Sequence, residues 1–129
     1  MVRQDKITYL ITFFQNEGEE VPTGNSLQLW IEESSFSTDI YEQIVDGDSF
    51  PGNVINNRVL TRLGVITTSD IIKTQQLMSE FIPFKRHNLL FINIEKIGNQ
   101  LCTAFSPICS DCNLNEICDF FNEKNRWAA

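Results

Sequence analysis

Residues 102–118 read Cys102-Thr103-Ala104-Phe105-Ser106-Pro107-Ile108-Cys109-Ser110-Asp111-Cys112-Asn113-Leu114-Asn115-Glu116-Ile117-Cys118, and they hold all four cysteines of the 129-residue chain. The spacing is C-x6-C-x2-C-x5-C. The close pair Cys109 and Cys112 can set two thiolates on neighbouring corners of one metal site, and the longer arms let the chain wrap round and deliver Cys102 and Cys118. Four thiolates with no histidine nearby fit an iron–sulfur cluster or an all-cysteine zinc site. Zinc usually takes two close pairs, whereas here one pair is flanked by two wide arms. Two disulfides would need an oxidising compartment. The apolar run Ile7–Phe14 follows Arg3 and Lys6 as a secretory signal would, but Thr8, Tyr9 and Thr12 interrupt it. Acidic residues between Glu17 and Glu20 stand where small cleavage-site residues belong.

Upstream of the cysteines the recurring period is helical. Leu89, Leu90, Phe91, Ile92, Ile94 and Ile97 fill an apolar helix expected to end at Gly98. Ser69 or Asp70 caps a helix running to about Phe81, stopped by Pro83. Val54–Leu63 is helical with Gly64 in the closing position. Ile7, Leu10, Ile11 and Phe14 fall at i, i+3, i+4 and i+7 behind Asp5 as the expected cap. Between them, Ser26 starts a short helix bearing Leu27, Trp30 and Ile31, and Ser37 or Thr38 starts one bearing Ile40, Tyr41 and Ile44. A last helix is expected from Asn113 or Asn115, burying Ile117, Phe120 and Phe121. No stretch alternates with period two, so the expected class is all-α: a small helical domain closed by the C-terminal cysteine loop, for which the resemblance given below implies a 4Fe–4S cluster.

Composition bounds the function. With 42% hydrophobic residues and 21% charged, the chain can bury a core and is unlike a disordered one. The longest uninterrupted apolar run, Leu89–Ile92, is far too short to span a bilayer, and the expected location is cytoplasmic. The net charge of −7 argues against bulk electrostatic binding of nucleic acid. That average hides a division. Residues 1–52 carry ten acidic and two basic side chains, while residues 53–129 carry seven acidic and eight basic. The expected organisation is an acidic helical segment over 1–52 of unassigned role and an iron–sulfur module over 53–129.

The cysteine spacing resembles the 4Fe–4S loop that closes the endonuclease III and adenine-mismatch branch of the helix-hairpin-helix DNA glycosylases. The flanks agree. Ile97-Gly98 before Cys102 is similar to the Leu-Gly that leads into that loop, Ser106-Pro107 stands at its basic-Pro step, and Leu114 and Glu116 match the approach to the last ligand. Arg58-Val59-Leu60-Thr61-Arg62-Leu63-Gly64 resembles the RVxxRLG helix behind the family's catalytic aspartate. The resemblance covers about residues 53–122 and implies Cys102, Cys109, Cys112 and Cys118 as cluster ligands, with DNA as a partner.

Three departures from the family alter what the resemblance implies. Counting back from Arg58, the catalytic aspartate's position holds Asn53, a neutral amide that can neither take a proton nor stabilise a developing cation as a carboxylate does. The hairpin is degraded: Phe50-Pro51-Gly52 abuts Asn53, and read as the hairpin it lacks the second glycine and puts Asn56 at the Schiff-base lysine. The six residues 103–108, which carry Lys or Arg aimed at phosphates in the family, are uncharged. The expectation is therefore an iron–sulfur module without independent catalysis. It would be an accessory or subunit binding DNA weakly and docking on a larger protein or on copies of itself. A minimal base-excision glycosylase and a zinc-binding interaction module are the alternatives. Arg58, Arg62, Lys85 and Arg86 are the candidate phosphate contacts, and ordinary surface charge is the bland reading of each. His87 has no triad partner in the sequence. Trp30 and Trp127 read as packing residues. Phe105 is either a lid over the cluster or an aromatic offered to a partner.

Overall fold

The structure is a computed structural model and describes residues 2–18, 50–82 and 86–128, with side chains described through Glu123. The helices expected after Ser26 and after Ser37 or Thr38, the stop at Pro83, Lys85, Trp30 and the Trp127 side chain lie outside the described residues. Within those residues five α-helices follow one another: α1 (Gln4–Glu17), α2 (Val54–Leu63), α3 (Ile71–Phe81), α4 (His87–Gln100) and α5 (Asp119–Ala128), with a single 3-10 turn at Cys109–Asp111. The described residues contain no strand.

Local chemistry explains most of the boundaries. The side-chain oxygen of Asn53 accepts from the Asn56 N–H at 2.8 Å and starts α2. Gly64 ends it at φ 88°, with its N–H reaching the carbonyls of Leu60 and Thr61. A side chain at Gly64 would be strained by that left-handed backbone and would also run into the Asp119 carboxylate and Lys6. Asp70 caps α3 by accepting from Ile72 and Lys73.

Two expected helix starts differ. Asp5 does not cap α1. Arg3 holds that position in extended backbone, fixed by its N–H on the Val65 carbonyl at 2.8 Å, and Asp5 in the first turn pairs with the Arg3 guanidinium. The last helix begins at Asp119, beyond Asn113 and Asn115. Residues 113–117 coil in successive turns because the chain must double back between Cys112 and Cys118. Nor does Gly98 terminate α4, which continues to Gln100. Glycine is needed there for close approach, since a Cβ would lie 2.3 Å from an Ile55 methyl and 3.1 Å from one of Val59.

The core lies round α2, which packs against α3, α4 and α5, while α1 packs on α4. Val59, Leu60 and Leu63 from α2 join Leu90, Phe91 and Ile94 from α4 and Ile7, Leu10 and Phe14 from α1 in one buried cluster. Phe50 and Phe91 meet edge to face at 5.8 Å. Burying such side chains contributes about 1.5–3 kcal/mol each. Helix α1 shares this buried cluster through its packing on α4.

Lys6 fastens α1 in place. The residue is 7% exposed, and its ammonium donates to the Leu63 carbonyl at the end of α2, to the Ile117 carbonyl at 2.7 Å and to Asp119 at 2.8 Å. A cation is favoured at the C-terminal end of α2 and a carboxylate in the first turn of α5, so both helix dipoles support the arrangement.

Candidate metal centre

The four cysteines lie on neighbouring segments of the fold. Cys102 leaves α4, Cys109 opens the 3-10 turn, Cys112 closes it and Cys118 stands immediately before α5. All four line a single recess whose other walls are mainly apolar: Val59 and Leu63 of α2, Ile97 and Leu101 at the end of α4, and Leu114 with Phe120 and Phe121. None forms a disulfide. Among the described residues, no three of His, Cys, Asp and Glu are drawn closely enough together to chelate one metal ion.

Backbone N–H groups are directed at two of the four sulfurs, while the Cys118 thiol donates to the Arg62 carbonyl at 3.3 Å. The Leu114 backbone N–H is directed to Cys112, and the N–H groups of Phe120 and Phe121, in the first turn of α5, are directed to Cys118. Burial works the other way and pushes both thiols above their ordinary value, with the N–H groups pulling back. The donor set, the apolar wall and the N–H groups together fit a thiolate-bound metal group.

Two arginines hold the first arm of the loop. Arg58 donates from Nη2 to the Gly98 carbonyl at 2.8 Å and from Nε to the Cys102 carbonyl at 3.0 Å, capping the C-terminal end of α4. Arg62 donates to the carbonyls of Thr103 at 2.7 Å and Ala104 at 3.1 Å, and its Nη1 lies 3.3 Å from the Cys102 sulfur. The Phe120 ring lies beneath the guanidinium, 4.9 Å from its carbon. Both side chains, candidate phosphate contacts by sequence, thus spend these donors on the loop. Arg86 is exposed at the start of α4. With the Gln15 amide turned so that its oxygen faces the guanidinium, Arg86 donates to it at 2.8 and 3.0 Å. At the loop tip Phe105 is 99% exposed and so is no lid. His87 is buried with neither ring nitrogen hydrogen-bonded and does not line the recess.

Asn53, the residue that the sequence resemblance sets against the catalytic aspartate, is hydrogen-bonded at both ends of its amide. Its oxygen caps α2 and its Nδ2 donates at 3.0 Å to Glu95, which also accepts from Asn56 Nδ2 at 2.6 Å. Glu95 is 3% exposed, and burial raises its pKa from the ordinary 4.5, with the two amides and Arg58 opposing. Sequence reading missed this carboxylate. The available signal was one acidic residue inside the apolar run of α4, in helical register with Phe91.

No protein-family model matches the chain, and no curated protein matches it in sequence. Solved structures do match. A non-covalent endonuclease III–DNA complex aligns over 95% of this chain with a TM-score of 0.58 at 19% identity. A trapped endonuclease III–DNA covalent intermediate, an estranged-adenine complex, aligns with the same score, identity and coverage. Among the described residues, no helix is long and apolar enough to cross a membrane. The chain has an endonuclease III-like fold, and it spans 59% of the length of those endonuclease III chains.

Proposed function

We propose that this protein is a 4Fe–4S module of endonuclease III type that serves DNA processing as an accessory or subunit, without base excision of its own. The observation that carries the reading is the gathering of four motif cysteines round one apolar recess in a fold whose catalytic-aspartate position holds a helix-capping asparagine. Cys102, Cys109, Cys112 and Cys118 would hold the cluster, which when bound supplies folding free energy and a redox-active centre. The C-x6-C-x2-C-x5-C spacing favours the cluster over zinc, for which two close pairs are usual.

DNA is the partner that the fold supports, since the similar structures are endonuclease III bound to DNA. With a net charge of −7 and neither a basic loop nor an intact hairpin, the protein would bind duplex weakly, through few phosphate contacts. A larger partner protein, or a second copy of the chain, is the proposed docking partner. The localisation in keeping with this role is cytoplasmic.

The test uses anaerobically prepared full-length protein. Fluorescence anisotropy with duplex DNA should give weak binding, and incubation with duplexes holding damaged bases, mismatches or abasic sites should give neither base release nor strand cleavage. Multiple-turnover base release would overturn the non-catalytic reading and establish the minimal glycosylase. The carboxylate to examine would then be Glu95, which is nearest to Asn53 but almost wholly enclosed.

A further inference from the structure

Residue 62 touches both ends of the cysteine motif. Its guanidinium is 3.3 Å from the first sulfur, Cys102, and its backbone carbonyl is 3.3 Å from the last, Cys118. The same guanidinium is oriented by the Thr103 and Ala104 carbonyls and by the ring of Phe120, two residues after Cys118. The fork cannot turn away without giving up those contacts.

We propose that Arg62 is the positioning residue of the cluster: its fork fixes the first arm of the loop against the last helix, and its charge sets the reduction potential. The inference rests on the iron–sulfur reading above. The physical case is electrostatic. Four thiolates outweigh the positive charge of the inorganic core, so cluster and ligands form a net anion that becomes more negative on reduction. A fixed cation 3.3 Å from one sulfur, at the edge of a mainly apolar recess, stabilises the reduced form more than the oxidised one and raises the potential. Neutral N–H groups face Cys112 and Cys118, whereas Cys102 has a full charge beside it. Lysine would keep the charge but lose the planar fork that serves several acceptors at once.

Wild type, Arg62→Lys and Arg62→Gln are reconstituted anaerobically, counted for iron and sulfide, and compared by protein-film voltammetry and by iron release to a ferrous chelator. Arg62→Gln should hold four irons at a more negative potential than wild type. Arg62→Lys should return to near the wild-type potential yet release iron about tenfold faster. A Gln variant with four irons at the wild-type potential would overturn the inference. So would a Lys variant that releases iron at the wild-type rate, a comparison that remains decisive even where the Gln variant does not load. Wild-type protein that takes up no iron would instead overturn the cluster reading itself, which separates the two failures.

Discussion

Placing a carboxylate beside Glu95 by Asn53→Asp should destabilise the protein in a pH-dependent way. Aspartate caps a helix as well as asparagine does, so the bond from the Asn56 N–H survives. The Nδ2 donor, 3.0 Å from the Glu95 carboxylate, is replaced by an oxygen bearing negative charge. Two unit charges at that separation repel by about 5.5 kcal/mol at an effective dielectric constant near 20. Water at half-exposed position 53 screens part of this, and proton uptake limits the rest. Keeping one proton on the pair at pH 7, against an ordinary carboxyl value of 4.5, costs about 3.4 kcal/mol. The expected loss is therefore about 2–3 kcal/mol at pH 7, or roughly 10 °C in melting temperature, shrinking to under about 1 kcal/mol by pH 4.5. The sign follows from the raised folded value of Glu95, whose contribution is present below pH 4.5 and lost as pH rises through that folded value. Circular-dichroism melts of wild type, Asn53→Asp and Asn53→Asp/Glu95→Gln between pH 4.5 and 8 measure it, and the double variant should recover most of the stability because glutamine can donate to the new carboxylate. An Asn53→Asp protein as stable as wild type at pH 8, or one weakened equally at every pH, would refute the reasoning.

Other substitutions test other parts of the account. Gly64→Ala should cost more than about 1 kcal/mol in urea unfolding, through left-handed backbone strain and the clash with Asp119 and Lys6; a neutral result would contradict the described helix end. Lys6→Met keeps the aliphatic packing but leaves the Leu63 and Ile117 carbonyls without this donor, so a loss of about 1–3 kcal/mol is expected in the same assay. Asp70→Ala should cost about 1 kcal/mol by removing the α3 cap, and hydrogen exchange of the Ile72 and Lys73 amides would localise the effect.

What the sequence disclosed was local. The closing glycine of α2 and the Asp70 cap each depend on residues within a few positions of one another, and each is found where the pattern placed it. What it concealed was long-range or geometric. The C-x5-C arm shows how many residues join Cys112 to Cys118, but not that they would be spent on turns, so α5 starts at Asp119. Gly98 carries the same letter whether it ends a helix or admits a neighbouring one, and only the nearness of Ile55 and Val59 tells which. Arg58 and Arg62, four apart on an apparently exposed helix, read as phosphate contacts because their partners at residues 98–104 lie some forty positions away. Glu95 and Lys6 are charged residues on otherwise apolar faces, a pattern that suggests enclosure but does not name the partner.

The claim on which the account chiefly depends is that four cysteines hold a 4Fe–4S cluster. Its most direct measurement is the iron, acid-labile sulfide and zinc content per chain of anaerobically prepared protein, with its visible absorption, for wild type beside Cys112→Ser. The account predicts about four irons and four sulfides and a brown colour in wild type, and loss of both colour and folded protein in the variant. One equivalent of zinc with no sulfide, or a colourless and fully helical wild type, would contradict it.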